Sequence, residues 1–336
     1  MADGGEGTLD AFVACGWRRV ERTVRGPLGA PVRAAFALDG RRAIVESASA
    51  SGLALVAPLN DIRRASSYGT GELIRAALDE GARDIVVAVG GTATNDGAAG
   101  VLQALGARLL TASGDDVSPG GGGLARIASV TLEALDVRLR NVRITVANDV
   151  TNPLLGNTGA SAVFAPQKGA GSDDIALLDA ALARFADVTA KACGRDVRHE
   201  AGAGAGGGIG FGLRAYLGAA FRPGFDIVAE AVRLGEKLTG TAYCFSGEGS
   251  VDAQTLSGKT VDGVVRLARA AGVPAIAFAG RVDADAERSF AERGAVVVPL
   301  ADGPLAIGES CERAAELLER AAARTMRLLA LGRPPS

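Results

Sequence analysis

The chain has 336 residues, 48% of them hydrophobic and 22% charged, with a formal net charge of −2. That length exceeds one small core and predicts two domains, while the apolar fraction excludes a disordered chain. Near-neutral charge excludes the basic face that a nucleic-acid or membrane-surface partner would need, and no apolar run reaches the length of a membrane span.

Lysine occurs only at Lys168, Lys191, Lys237 and Lys259, so a lysine inside a motif carries more weight than it would in a lysine-rich chain. Cys15, Cys193, Cys244 and Cys311 show no CxxC spacing. They read as reduced, mostly buried thiols, not as a disulfide framework or zinc site. With no signal-peptide pattern at the start, the expected compartment is the cytoplasm.

In chain order, apolar periodicity predicts a helix over Leu9–Ala14. Between Trp17 and Leu55, short alternating runs broken by GPLGAP and LDGRR read as antiparallel hairpins, with a strand at Ala43–Glu46. A helix at Glu72–Glu80, a strand at Asp84–Val89 and a helix at Ala98–Leu105 follow. Next come a surface loop at Ser113–Gly123, a strand at Arg143–Ala147, and helices at Ile175–Ala192, Phe211–Leu217 and Ile227–Leu234. At the end, strands at Ala242–Phe245, Ala275–Ala279 and Ala295–Leu300 alternate with helices at Gly263–Ala271 and Glu309–Leu329. That alternation is the signature of a parallel sheet with right-handed crossovers. The change of pattern along the chain reads as a mixed domain inserted into a doubly wound one.

The most informative stretch is VGGTATNDGAAGVLQALG, Val89 to Gly106. A strand, a glycine turn and a helix start make an anion cradle, because free N–H groups and the helix dipole face outward together. Gly90, Gly91, Thr92, Thr94, Asn95 and Asp96 are therefore candidates for binding phosphate or an acid substrate. Equally, Asn95 or Asp96 can simply cap the helix. Asp149 and Asn152 follow a strand, where parallel sheets place active-site groups, and the alternative there is an Asx turn. Asp149 is the first candidate for accepting a hydroxyl proton. Glu248 and Asp252 flank a glycine-containing turn and can share a magnesium ion, directly or through water, or form a salt-bridged loop with Lys259. Asp3 and Glu6 are acidic candidates for holding hydroxyls, and Lys168 for neutralising a carboxylate. Gln254 and Lys259 lie in VDAQTLSGKT, which meets only the loosest Walker pattern, so Lys259 is read as a point charge on phosphate or a solvated lysine. GAGAGG at Gly202–Gly207 matches GxGxxG. The preceding RDVRHEA is too polar for the strand a dinucleotide site requires, which sets a dehydrogenase aside. His199 has charged neighbours and reads as surface, so Ser–His–Asp hydrolysis is excluded.

ADGGEGT at Ala2–Thr8, GPLG at Gly26–Gly29, GTGELI at Gly69–Ile74 and the GGTATND loop occur in one order with NDVTNPLLG at Asn148–Gly156 and APQKGA at Ala165–Ala170. GAGAGGGIG at Gly202–Gly210 and SGEGSVDAQTLSGKT at Ser246–Thr260 complete the series. This series resembles the type 1 glycerate kinases of bacteria, which carry a GGSATNDGG-like loop. Members open with a strand and an APDSFKGSLSA-like turn roughly forty residues ahead of ADGGEGT, whereas this chain starts at that motif. Many carry Arg where this chain has Ser250.

The resemblance implies an α/β fold with a Rossmann-like, doubly wound parallel domain made discontinuously from residues 1–20 and 225–336. A mixed α/β domain, 21–224, would be inserted and carry the GGTATND loop. It further implies transfer of the γ-phosphoryl of ATP to D-glycerate with Mg²⁺ as cofactor, giving 2-phosphoglycerate more readily than 3-phosphoglycerate. A shortened relative that binds carboxylates or nucleotide without turnover is the alternative. Monomer and homodimer stay open.

Overall fold

The computed structural model describes residues 2–252, 260–303 and 305–331. The chain divides into two compact units, Met1–Val228 and Ala229–Ser336.

The first unit opens with α1 (Thr8–Ala14), followed by β1 (Arg18–Arg25), β2 (Pro31–Asp39) and β3 (Arg42–Glu46). These strands form the expected antiparallel hairpins. The short α2 (Ser47–Ser51) and α3 (Tyr68–Asp79) lead to β4 (Asp84–Ala88) and α4 (Ala99–Ala104). The hairpin β5 (Arg108–Thr111) and β6 (Ile127–Thr131) precedes β7 (Arg143–Ala147). Then come α5 (Ala160–Phe164), α6 (Ser172–Cys193), α7 (Ala205–Leu217), β8 (Ala220–Arg222) and α8 (Gly224–Ala231), inside which the division falls. The main sheet runs β1-β2-β3-β4-β7-β8, parallel from β3 onward.

Strand burial follows that order. The edge strand β1 buries only Val20 and Val24, whereas β3 and β7 are buried at every position after the first, as strands covered on both faces must be. α3 lays Leu73, Ile74, Ala77 and Leu78 on the sheet beside Phe36, Val45 and Ile85. Each fully buried Leu or Ile contributes roughly 2 kcal/mol of transfer free energy. A second core gathers Leu102, Leu182, Phe185 and Phe211.

The second unit contains α9 (Leu234–Leu238), β9 (Cys244–Val251), α10 (Thr260–Ala270), β10 (Ala275–Val282), α11 (Ala284–Glu292), β11 (Ala295–Pro299), α12 (Ile307–Glu312) and α13 (Ala314–Leu331). Its sheet, β11-β10-β9, is wholly parallel. Val265, Ala277 and Phe290 centre one core, and Ile276 and Phe278 pack with Ala321 of α13 in another.

The architecture is a mixed α/β fold with parallel-rich sheets, and several expectations are corrected in detail. α1 packs on β2 and β3. β9 continues through the expected glycine turn, because β10 offers it partners as far as Val282, opposite Val251. The helix expected over Ile227–Leu234 is replaced by α8 and α9, separated at Arg233, which has φ 55. The last helix breaks at Arg313 into α12 and α13. The Ser113–Gly123 loop ends early, since a 3-10 helix over Gly121–Arg126 packs against α6. Cys15 and Cys311 are exposed, not buried. Among the described residues, no helix is long and apolar enough to cross a membrane.

Candidate active site

The carboxyl ends of β4 and β7 converge on the segment Asp3–Glu6. Thr8 holds that segment: its hydroxyl accepts the Gly4 N–H at 3.2 Å and donates to the Gly5 carbonyl at 2.7 Å. Gly90 donates its N–H to the Gly4 carbonyl at 3.0 Å, and a Cβ on Gly90 would stand 2.6 Å from the Gly5 Cα. Only glycine permits two backbones to approach that closely. Gly91, with φ +70, is the exposed tip of its loop and lies against the Glu6 side chain.

Asp149 follows β7 and is half-buried. Its Oδ1 accepts the Gly224 N–H at 2.8 Å, at the start of α8. Its Oδ2 is buried and has no hydrogen-bond partner among the described residues. Burial first, and then the charge of Asp3, push its carboxyl up to about 6, with the amides of Gly224 and Phe225 opposing and Asp226 adding to the rise. A carboxyl with one oxygen anchored and one free, titrating close to neutrality, has the form of a general base.

Beneath this face lies Lys168, 3% exposed, delivered by the Pro166–Lys168 3-10 turn. Its ammonium donates to the Thr94 carbonyl at 2.7 Å and the Thr92 hydroxyl at 3.3 Å. Burial lowers its pKa to about 8, with Asp96 opposing. Asn60, which no sequence pattern marks, donates to both the Ala93 carbonyl at 3.1 Å and the Lys168 carbonyl at 2.9 Å.

The rest of the GGTATND loop is turned inward, against expectation. Thr94, Asn95 and Asp96 are all fully buried. Asp96 Oδ2 accepts the Ser67 N–H at 2.8 Å, the Ser67 hydroxyl at 3.0 Å and the Gly100 N–H at 3.2 Å. The carboxylate thus fills the start of α4 that an incoming anion would have used, and it ties that start to the start of α3. Burial raises the Asp96 pKa, and the Ser67 amide and hydroxyl oppose the rise. Asn95 donates to the Ser161 hydroxyl at 2.9 Å. Gly206, Gly207 and Gly208, at φ +62, +68 and +87, press on the loop from α7; a Cβ on Gly207 would fall 2.0 Å from the Thr94 carbonyl oxygen. The glycine run therefore serves close packing against the loop.

Asn152 is a turn residue, donating to the Thr158 carbonyl at 2.8 Å. The Asx turn after β7 is made by Asn148, whose Oδ1 accepts the Val150 N–H at 2.9 Å. His199 is exposed.

Within the second unit, Glu248 stands on β9, at a cavity of about 1020 Å³ by the carboxyl ends of the parallel strands, with Gly247, Phe278, Gly280, Leu300 and Ile307 among its walls. Asp252 follows the same strand, four positions on. At about 3.3 Å per residue the two Cα atoms stand roughly 13 Å apart. The glycine-containing turn expected between them is extended strand as far as Val251. Among the described residues no group of three or more His, Cys, Asp and Glu side chains could cage a metal. Gln254 and Lys259 lie outside the described residues.

Residues 1–330 match the Glycerate kinase family. The chain is 46% identical over 327 residues to the glycerate kinase of Bacillus subtilis (strain 168), covering 96% of this chain and 85% of that one. It is 45% identical over 290 residues to the glycerate 2-kinase of Escherichia coli (strain K12), covering 85% and 76%. A crystal structure from Salmonella typhimurium LT2, described as a glycerate kinase 2, superposes with TM-score 0.77 at 42% identity, over 98% of this chain and 88% of that one. By sequence and by structure, the chain belongs to the glycerate kinase family.

Proposed function

We propose that this protein transfers the γ-phosphoryl group of ATP to D-glycerate and releases 2-phosphoglycerate. Family membership supports the reaction class, and the free Oδ2 of Asp149, beside Asp3 on an otherwise anchored carboxyl, is the observation that carries the site. In this reading Asp149 orients the acceptor hydroxyl and takes its proton during attack. Asp3 keeps the Asp149 carboxyl basic enough to do so, and Asp3, Glu6 and the Gly91 amide surround the small acid. Lys168 supplies positive charge beneath the loop, balancing the substrate carboxylate without contacting water. Asn95 and Asp96 hold the loop in shape.

The second unit is read as the nucleotide-holding, Rossmann-like part, since ligands of parallel sheets sit beyond the carboxyl ends of the strands. The apolar walls by Phe278, Leu300 and Ile307 suit a purine. The donor set fits an ion carried in on the nucleotide: Mg²⁺ there needs only one or two carboxylates besides phosphate and water, and Glu248 provides one. When bound, the ion neutralises phosphate charge. The protein is expected to work in the cytoplasm.

A coupled ADP-release assay on the purified protein tests this, with ³¹P NMR of the product. Glycerate-dependent ADP and a 2-phosphoglycerate resonance are expected. Folded protein that releases no ADP in response to glycerate would overturn the assignment.

A further inference from the structure

The first unit carries another cavity, of about 1050 Å³, which the proposed reaction does not use. Four pieces of chain wall it: Arg25 and the Pro27–Gly29 turn between β1 and β2, the approach to α3 from Arg64 to Tyr68, the passage from α4 into β5, and the loop from Asp116 to Pro119. The turn is fixed from both sides. Gly26 donates to the Ala30 carbonyl at 2.7 Å, and the Ser66 N–H donates to the Pro27 carbonyl at 2.9 Å. These bonds give the GPLG motif a role in building this wall.

The charge on the wall is unbalanced. Arg25, Arg64 and Arg108 line it with one carboxylate, Asp116, and Asp116 is spent on Arg108 through two bonds of 3.1 Å. Arg25 holds its guanidinium 4.0 Å from the centroid of the Tyr68 ring. The nearby Glu72 carboxylate is engaged at 2.6 Å by the Arg25 backbone N–H. Among the described residues, neither Arg25 nor Arg64 has an ion-pair partner. Neighbouring arginines differ: Arg18 and Arg22 share Glu80, Arg63 pairs with Asp174, and Arg138 pairs with Asp136 and Asp79. Two uncommitted guanidinium groups thus face one cavity, with the Ser66 and Tyr68 hydroxyls beside them.

We propose that this cavity binds a phosphate group, with Arg25 and Arg64 as its clamp. The planar guanidinium fork matches phosphate oxygens, and stacking on Tyr68 orients the Arg25 fork in advance. The volume is that of a site for a small metabolite, so a phosphate ester is the fitting ligand.

Isothermal titration calorimetry with inorganic phosphate, 3-phosphoglycerate and glucose 6-phosphate tests the site on the intact protein. Glycerate and ADP are kept saturating so that the proposed active site is filled. All three substitutions are surface changes on exposed side chains. The double variant Arg25→Gln/Arg64→Gln should weaken phosphate binding by at least about tenfold while its kcat stays at the wild-type value. Arg108→Gln, already neutralised by Asp116, should weaken binding less than threefold. Esters binding more tightly than inorganic phosphate would mark a phosphorylated metabolite as the ligand; equal affinities would mark phosphate itself. Unchanged affinity in the double variant, or no binding to wild type once glycerate and ADP are present, would overturn the proposal.

Discussion

Replacing Asp149 by Asn separates two jobs done by one carboxyl. Oδ1 accepts the Gly224 N–H at 2.8 Å, and Asn caps a helix start about as well as Asp, so stability should stay within about 0.5 kcal/mol of wild type. What disappears is the free, basic Oδ2. A positioned general base contributes about 10²- to 10⁴-fold, so kcat is expected to fall about a hundredfold or more, a barrier increase of roughly 2.7 kcal/mol. The pH profile supplies a second readout. The carboxyl is raised from 3.8 to about 6, so it is ionised and competent above that pH and protonated below it. Wild-type kcat/KM should therefore fall on the acid side with a midpoint near 6, and the variant should lack that limb. Urea denaturation run in parallel confirms that the fold is intact. A variant with kcat within threefold of wild type, or with the acid limb unchanged, would place the base elsewhere.

Lys168→Met keeps the buried stem and removes the charge; the KM for glycerate should rise about tenfold or more. Because Lys168 is held near 8, its charge is present below that pH, and the variant should lose an alkaline limb there; an unchanged KM and limb would remove Lys168 from the site. Gly207→Ala must hold φ +68 with a Cβ 2.0 Å from the Thr94 carbonyl. Left-handed strain of about 1–2 kcal/mol plus the clash should cost at least about 3 kcal/mol in urea unfolding, and a loss under about 1 kcal/mol would show that the glycine run does not pack on the loop. Asp96→Ala strips three hydrogen bonds from two helix starts and should destabilise by about 2–4 kcal/mol; an unaltered denaturation midpoint would contradict a capping role. Glu248→Gln should raise the KM for Mg·ATP about tenfold, whereas Asp252→Asn should change it less than twofold, and the reverse order would reinstate Asp252.

Local pattern was enough to locate most regular elements. The alternation before Leu55 gives the hairpins, β4, β7 and β11 fall on apolar runs nearly residue for residue, and β10 begins on its run and extends three residues past it. α11 escaped notice although its start is written in the chain: Asp283 caps it by accepting the Asp285 and Ala286 N–H groups. The β5–β6 hairpin and β8 had no comparable signal, being short and stabilised by partners distant in sequence.

The sequence by itself determined the family, through motifs held in a fixed order, and it marked Asp149 and Lys168. Residue type and position at a strand end or in a motif suffice for that. Only the tertiary structure decided which polar groups face a ligand and which face the interior. Asp96, readable either as a site residue or as a helix cap, is a buried cap, because Ser67, 29 residues away, supplies its donors. The turn read between Glu248 and Asp252 is strand as far as Val251, because β10 extends it. Asn60 carries no signal of its own and acquires its place only where the Ala93 and Lys168 carbonyls meet. A side chain's chemistry is local, but its exposure and its partners are set by chain segments that are adjacent only after folding.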